Sequence, residues 1–382
     1  MKILFITSHL HLPQLYGGLQ TSTDQLCRTL MKRGHKTLLL AGLDTAGGFG
    51  RAARIKLHLN RILHGHKFSR DTGLGYPVWR TWFPSKEAVY VVKKEKPDIV
   101  IIKSGEVVQL AEALRPLGVP MVLQLHDVEF HLHKGDFKKV EDITCIANSH
   151  FTARKYHDAY GVNPYVVHPF MFADKYRTVT TRENVTFINP HPQKGVDIAL
   201  KVARACPEIP FTFVESWSLN SEDRKTLMAE LVTLCNVTLR PATGDMKQVY
   251  GKAKIVLAPS RWQEAYGRIA SEAQFSGIPV IASNRGGLPE AVGTGGILID
   301  PDGPIDEWIM AVKRLWNDEK YYAALSAEAY NYSNRPVLTQ ENQIRMFEEI
   351  FAAEVSRKND VKPGQQRAQP VRHLDVIWQQ SA

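Results

Sequence analysis

A chain of 382 residues, 44% hydrophobic and 23% charged, is long enough for two packed domains and too apolar for a disordered polymer. It has no apolar run near the ~18 residues of a membrane-spanning helix, and its four cysteines, Cys27, Cys145, Cys206 and Cys235, show neither a C-x-x-C pair nor metal spacing, which excludes a disulfide scaffold and predicts core thiols in a reducing compartment. The net charge is +9, and the whole excess falls in residues 1–170.

The first predicted strand is KILFIT (2–7). Its apolar run is too short for a signal peptide and no small-residue cleavage site follows, so it reads as part of the fold. After the loop SHLHLPQLYGG, the spacing of Leu26, Leu30 and Met31 predicts a helix from about Thr21 to Lys32, and KTLLLAG (36–42) is the next strand. Strand, helix, strand predicts a right-handed crossover in a parallel sheet. Gly17 and Gly18 fall between strand and helix, where glycine either lets the backbone approach a ligand or closes an ordinary tight loop. No G-x-G-x-x-G is present, which disfavours a nicotinamide or flavin cofactor.

Residues 51–70 hold Arg51, Arg54, Lys56, Arg61, Lys67 and Arg70 with no acid, and place Ile55, Leu59, Ile62 and Leu63 on one helical stripe. Two readings stand: a helix docked by that stripe on its own domain, or one lying on an anionic membrane surface. No aromatic-interleaved basic groove accompanies it, which argues against nucleic acid. PDIVIIKSG (97–105) and VPMVLQLHD (119–127) are buried strands, with a helix over 107–118 between them. His126 and Asp127 end the second, at the edge where open α/β sheets bind ligands. His131 and His133 read as loop residues, with no third ligand to complete a zinc set. ITCIANS (143–149) is a strand, a helix follows through residue 161, and YVVHPF (165–170) leads into a linker.

A second strand–loop–helix–strand unit spans 184–216, with Lys194 and Gly195 at the start of its helix. A lysine there neutralises a phosphate or is a solvated loop charge. Residues 237–260 supply strand, helix and strand. The stretch PSRWQEAYGRIASEAQFSGIPVIAS (259–283) then reads as loop, short helix and buried strand, with Gly267 at the helix start. Glu264 lies outside the helix mouth and Glu272 about five residues inside, roughly 8 Å apart along the axis. Free N–H groups between them, those of Tyr266, Gly267 and Arg268, suit a pyrophosphate flanked by two hydroxyl-rich sugars; an isolated E-x7-E is otherwise a pair of solvated helix-end charges. Asp300-Pro301-Asp302 reads as a turn rather than a metal-binding D-x-D, so no divalent metal is expected. Residues 337–355 predict a helix, and the polar segment 357–382 a disordered tail.

The stretch 259–283 with the following SNRGGLPEAVG (283–293), YGG with its helix (16–34), LQLHD (123–127) and NPHPQKG (189–195) together resemble the retaining glycosyltransferases of family 4. The resemblance implies an α/β GT-B fold: two Rossmann-like parallel-sheet domains, 1–170 for the acceptor and 171–336 for the nucleotide sugar, with a helix at 337–356 crossing back. It implies that Glu264 and His126 face the donor sugar, that Glu272 holds the ribose, that Gly17 and Gly18 contact phosphate or acceptor, and that Lys194 meets the diphosphate. The family places an arginine where this chain has Asn189, leaving Arg261 and Arg268 as the candidates to supply that charge. The implied reaction needs no cofactor beyond the nucleotide-diphosphate sugar: the leaving phosphate accepts the proton of a hydroxyl acceptor on the same face. A lipid-linked or cell-surface-polysaccharide acceptor, and a cytoplasmic protein peripheral to the inner face of the membrane, are the expectations drawn from the basic helix. A catalytically silent nucleotide-sugar or glycan-binding protein, or a phosphorylase-like or epimerase-like enzyme on the same architecture, remain open.

Overall fold

The computed structural model describes residues 1–45, 47–65 and 68–360, with the side chains of 63, 64 and 358–360 excepted. The first unit runs β1 (Lys2–Leu10), α1 (Gly18–Lys32), β2 (Lys36–Gly42), α2 (Gly47–His64), β3 (Ser69–Asp71), β4 (Val78–Thr81), α3 (Pro84–Glu95), β5 (Ile99–Lys103), α4 (Val107–Leu114), β6 (Met121–Leu125), β7 (Thr144–Ala147), α5 (His150–Tyr160) and β8 (Tyr165–Val166). The second runs β9 (Asn184–Ile188), α6 (Val196–Ala205), β10 (Phe211–Val214), α7 (Ser221–Val232), β11 (Val237–Arg240), α8 (Met246–Tyr250), β12 (Ala253–Ala258), α9 (Arg268–Gln274), β13 (Val280–Ser283), α10 (Leu288–Val292), β14 (Gly296–Ile299), α11 (Ile305–Asn317) and α12 (Glu319–Ser333). α13 (Gln340–Asp360) closes the described chain.

The strands form two sheets, ordered β3-β4-β2-β1-β5-β6-β7-β8 and β11-β10-β9-β12-β13-β14. All pairings are parallel except β3 with β4. The apolar runs explain this. In KILFIT, alternate side chains face opposite layers: Leu4 and Ile6 join Val100, Ile102 and Leu123 on one side, Ile3 and Phe5 join Ile99 and Ile101 on the other. A strand buried on both faces has no polar side to show to water, which is the condition of a parallel sheet between helices. Ile344, Phe347, Ile350 and Phe351 of α13 pack on the second of these faces, and Glu348 accepts from Arg33 at 2.9 Å.

Several expectations shift. α1 begins at Gly18 rather than Thr21, because Gly17 is its extended N-cap, so the glycine pair forms the helix mouth. α2 stops at His64 instead of running to 70, and β3 follows. Its Ile55, Leu59 and Ile62 face solvent, while Ala53 and Leu57 dock beneath Leu43. Cys235 is exposed, unlike the other three cysteines. Residues 357–360, expected in the tail, continue α13; the rest of that expected disorder, 361–382, lies outside the described residues.

Candidate functional site

The carboxyl ends of β1, β5 and β6 meet the mouth of α9 across a cleft between the two sheets. Contacts span the gap. Ser149 Oγ and Thr152 Oγ1 donate to the Ala265 carbonyl at 2.5 and 3.1 Å. Glu290 accepts the His150 N–H at the start of α5 at 2.8 Å and lies 2.7 Å from His168 Nε2. Trp262 Nε1 donates to Glu129.

On the second-domain wall, Lys194 ends a 3-10 turn over Pro192–Lys194, and the Gln193 carbonyl accepts the N–H groups of both Arg261 and Trp262 at 3.0 Å. This brings Lys194 Nζ to 2.5 Å from Glu264 Oε1, with Ser260 Oγ at 3.2 Å from the same oxygen. The ammonium also stands 4.5 and 4.8 Å from the ring centroids of Trp217 and Trp262, within cation–π range. The Glu264 loop is pinned by the glycine pair of SNRGG. The Gly287 N–H donates to the Glu264 carbonyl at 2.7 Å, and a Cβ on Gly286 would come within 2.6 Å of that oxygen.

Two turns along, Glu272 is buried and doubly bonded: Tyr250 OH donates at 3.0 Å and Arg268 Nε at 3.1 Å. Arg268 also donates to Tyr176 OH and, across the cleft, to the Gly18 carbonyl, both at 2.8 Å. A Cβ on Gly18 would sit 2.9 Å from Arg268 Cδ, so this contact needs glycine there. α9 starts where it does because Gly267 adopts φ +100, a conformation open to glycine. The Tyr266 side chain is buried, its hydroxyl 2.9 Å from Ser271 Oγ, leaving only its backbone toward the loop.

The two arginines separate. Arg261 is held by Asp197 at 2.6 Å, Asp302 at 3.1 Å and the Pro301 carbonyl at 3.0 Å, all on the second domain. Arg268 alone of the pair reaches the first domain. Asn189 is buried at φ +67, with its Oδ1 accepting the Trp217 N–H at 3.2 Å. It shapes the loop and brings no charge. Asp300-Pro301-Asp302 is a turn in which Asp300 accepts the Asp302 N–H at 3.0 Å, and Asp302 is taken by Arg261 and Arg285.

On the first-domain wall, His126 Nε2 is buried without a hydrogen-bond partner among the described residues, as are Gln124 Oε1 and Asn148 Oδ1. Burial first, then the charges of Lys103, Arg268 and His9, hold the His126 imidazole well below its usual pKa, so it is neutral. Lys103 ends β5, 1% exposed, and burial with help from Arg268 pushes its pKa down to about 7. A half-neutralised lysine beside a neutral histidine and two unpaired amide oxygens is a wall that offers both donor and acceptors to a polyhydroxyl ligand. Gly17 and Gly18, at the mouth of α1, border it. Sequence reasoning missed Lys103, Trp217, Trp262, Tyr176 and Tyr250. The legible signal was a lysine closing the otherwise apolar IVIIK; the aromatic residues carry no local mark.

A model of glycosyl transferases group 1 matches residues 183–332, and one of Glycosyltransferase Family 4 matches residues 16–171. Between them they take in most of both sheets, together with Gly17, Gly18, His126, Lys194, Glu264, Arg268 and Glu272. The chain belongs to glycosyltransferase family 4. Among curated proteins, this family 4 chain is 35% identical over 126 residues to a D-inositol 3-phosphate glycosyltransferase of Corynebacterium kroppenstedtii, an alignment covering 32% of this chain and 27% of that protein. It is 25% identical over 219 residues to an exopolysaccharide phosphotransferase of Streptomyces coelicolor, covering 54% and 22%. The matches thus span about a quarter of the length of these relatives. Among solved structures, Anabaena HepE in complex with UDP-glucose superposes with TM-score 0.73 at 18% identity, over 92% of this chain and all of that one. Sucrose-phosphate synthase from Thermosynechococcus elongatus does so with TM-score 0.68 at 15% identity, over 92% and 100%. The family 4 fold is therefore the GT-B arrangement of two facing parallel sheets.

Proposed function

We propose that the protein is a retaining, metal-independent glycosyltransferase that moves a sugar from a nucleotide-diphosphate sugar to a hydroxyl acceptor. The observation that carries this is the pairing of a cation with each of the two carboxylates of the E-x7-E stretch, Lys194 with Glu264 and Arg268 with Glu272, along one wall of a cleft whose other wall touches Arg268 through Gly18. A diphosphate drawn to Lys194 and Arg268 competes for both cations and releases Glu264 toward the donor sugar. Glu272, fixed by Tyr250, faces the ribose. The site supplies charge stabilisation for the departing phosphate, usually the largest single contribution to enzymatic rate acceleration. A neutral His126 lines the sugar pocket and offers hydrogen bonding without adding charge.

A uridine diphosphate hexose is the first donor to test, since UDP-glucose is bound by HepE, which shares the fold. We further assign the acceptor as lipid-linked or part of a cell-surface polysaccharide, and the protein as cytoplasmic and peripheral to the membrane. The support is the basic helix α2 and the exopolysaccharide relative. A silent nucleotide-sugar-binding protein is the second reading, favoured by the engagement of both carboxylates in ion pairs. Transfer measured with EDTA present separates the two. The wild type turns over with the donor's anomeric configuration kept in the product by NMR, and Glu264→Gln loses at least a hundredfold in rate while the protein remains folded at the assay temperature, as its melting curve shows. Wild-type rate in that variant, or an inverted product, contradicts the assignment.

A further inference from the structure

Glu264 stands in a segment, 259–267, that is neither helix nor strand. Its own domain fixes the Glu264 carbonyl through the Gly287 N–H at 2.7 Å, and the carboxylate through Lys194. The next carbonyl, that of Ala265, is held from the first domain. Ser149 Oγ and Thr152 Oγ1 converge on it at 2.5 and 3.1 Å, and both residues are 0% exposed. Ser149 is the N-cap of α5, and its oxygen accepts the Thr152 N–H at 2.9 Å. That bond occupies a lone pair and leaves the hydroxyl proton free to point outward. One side chain thus closes its own helix and donates into the Glu264 segment. Two hydroxyls use both lone pairs of the carbonyl, and they do so without placing a charge beside Glu264.

A second strap reaches the same turn of α5. The glycine pair that pins Glu264 leads directly into α10, and Glu290, in the first turn of α10, returns to the first domain. Its Oε2 accepts the His150 N–H at 2.8 Å and the Phe151 N–H at 3.4 Å, while its Oε1 lies 2.7 Å from His168 Nε2. Those N–H groups are among the ones that the first turn of a helix cannot satisfy by itself, and the positive end of α5 favours a carboxylate there. Tyr332 OH fixes the other side of Glu290 by donating to its carbonyl at 2.8 Å. Glu264 is bracketed in this way. Ala265 just after it, and Glu290 just beyond the glycine pair, both end on residues 149–152.

We propose that Ser149, Thr152 and Glu290 are positioning residues that aim Glu264, and that the Glu264 loop is set only while α5 is seated against it. This rests on the reading of Glu264 as the residue that faces the donor sugar. Ser149 and Thr152 are fully buried, so they act on a ligand only through the loop they hold. A donor carried by the second domain alone meets a Glu264 whose backbone is tied on one side and whose carboxylate stays on Lys194. Seating α5 ties the other side as well. The carboxylate then leaves the ammonium for the sugar without the loop following it. Donor binding survives loss of this clasp, and turnover does not.

The test uses the full chain with UDP-glucose as the probe. Thr152→Val is isosteric and keeps the cap oxygen of Ser149, so α5 stays intact; Ser149→Ala/Thr152→Val removes both donors. Amide exchange, read by mass spectrometry in fragments covering 263–267 and 285–288, quickens about fivefold in the first and about tenfold or more in the second, as for one and two lost hydrogen bonds. Fragments of β12 and β13 keep wild-type exchange, and Ser149→Ala/Thr152→Ser, with one hydroxyl restored, returns to the level of Thr152→Val. Release of UDP from UDP-glucose falls about tenfold or more in the double variant, with KM within about twofold of the wild type. Combined with Glu264→Gln, the double variant lowers the rate no further than Glu264→Gln alone, because the clasp acts through Glu264. Four results would each overturn the proposal: unchanged exchange at 263–267 in both variants; exchange that quickens equally through β12 and β13; a raised KM with unchanged kcat; or full multiplication of the two losses in the Glu264→Gln background. A wild type that neither binds nor cleaves UDP-glucose counts against the donor assigned under the transferase reading, and the exchange data decide the clasp without it.

Discussion

Lys194 and Glu264 neutralise each other at 2.5 Å, and each is part-buried, so removal of one leaves the other as an uncompensated charge. Lys103 is a different case, since burial opposes its charge with no carboxylate to offset it. Its folded pKa of about 7 lies below the usual lysine value of 10.5. Between those values the unfolded chain binds the extra proton, so the stability penalty is full below about pH 7 and fades as pH rises toward 10.5. Lys103→Met is therefore expected to be more stable than the wild type at pH 6, by on the order of 5 kcal/mol, since each tenfold loss of proton affinity costs about 1.4 kcal/mol, with the gap closing as pH approaches 10.5. Denaturant unfolding across pH checks this, and a gap that widens with pH would show that Lys103 has a partner. The same variant should weaken binding of an anionic ligand, which separates a functional lysine from a merely tolerated one. At this scale spacing and strand ends singled out Glu264, Glu272, Lys194 and His126; the structure pairs Glu264 with Lys194 and Glu272 with Arg268 and buries His126, and their roles toward a donor are those proposed above. They did not decide between Arg261 and Arg268. Both sit near the same helix, and what distinguishes their surroundings, Asp197 and Asp302 on Arg261 and the Gly18 carbonyl on Arg268, lies 64, 41 and 250 residues away in the chain.

α9 shows what an element adds. Its seven residues carry little intrinsic helicity, and its start is imposed by Gly267 at φ +100, where a Cβ would lie 2.6 Å from Leu288 Cδ2. Gly267→Ala is expected to cost about 1–3 kcal/mol, lowering the melting temperature and moving Arg268 off Gly18. A variant with wild-type melting and wild-type donor affinity would show that the helix mouth is not set by this residue. α2 marks the limit of periodicity. A stripe at Ile55, Leu59 and Ile62 has the same spacing whether it faces the core or water. The small residues Gly50 and Ala53, with Leu57, made the contact instead, and their pattern is too weak to outrank isoleucine and leucine in a sequence. β3 and β4 escaped for a related reason. VWRT buries Arg80, whose charge is met by Asp71 at 2.6 Å and the Leu12 carbonyl at 2.6 Å, contacts no local window contains.

Across the whole molecule, the repeated strand–helix alternation and the two-sided apolar runs made the paired parallel sheets legible, and the glycine and glutamate motifs located the cleft. What was not legible is how the halves meet. The bonds of Ser149 and Thr152 to Ala265, of Glu290 to the mouth of α5, and of Arg268 to Gly18 join residues 113 to 250 positions apart. Glu290 stays below the usual glutamate pKa although burial acts to raise it, because His168, His150 and the Phe151 N–H favour its charge. Its contribution is thus present above the ordinary glutamate range and is lost as pH falls through that lowered value. A diphosphate seated between Lys194 and Arg268 is the centre of the proposed chemistry. A thermal-melting screen of nucleoside-diphosphate sugars against the wild type and Lys194→Ala tests it most directly. At about a hundred times its Kd, one such sugar should stabilise the wild type by about 2.7 kcal/mol and the variant far less; no stabilisation by any donor, or equal stabilisation of both proteins, would contradict it.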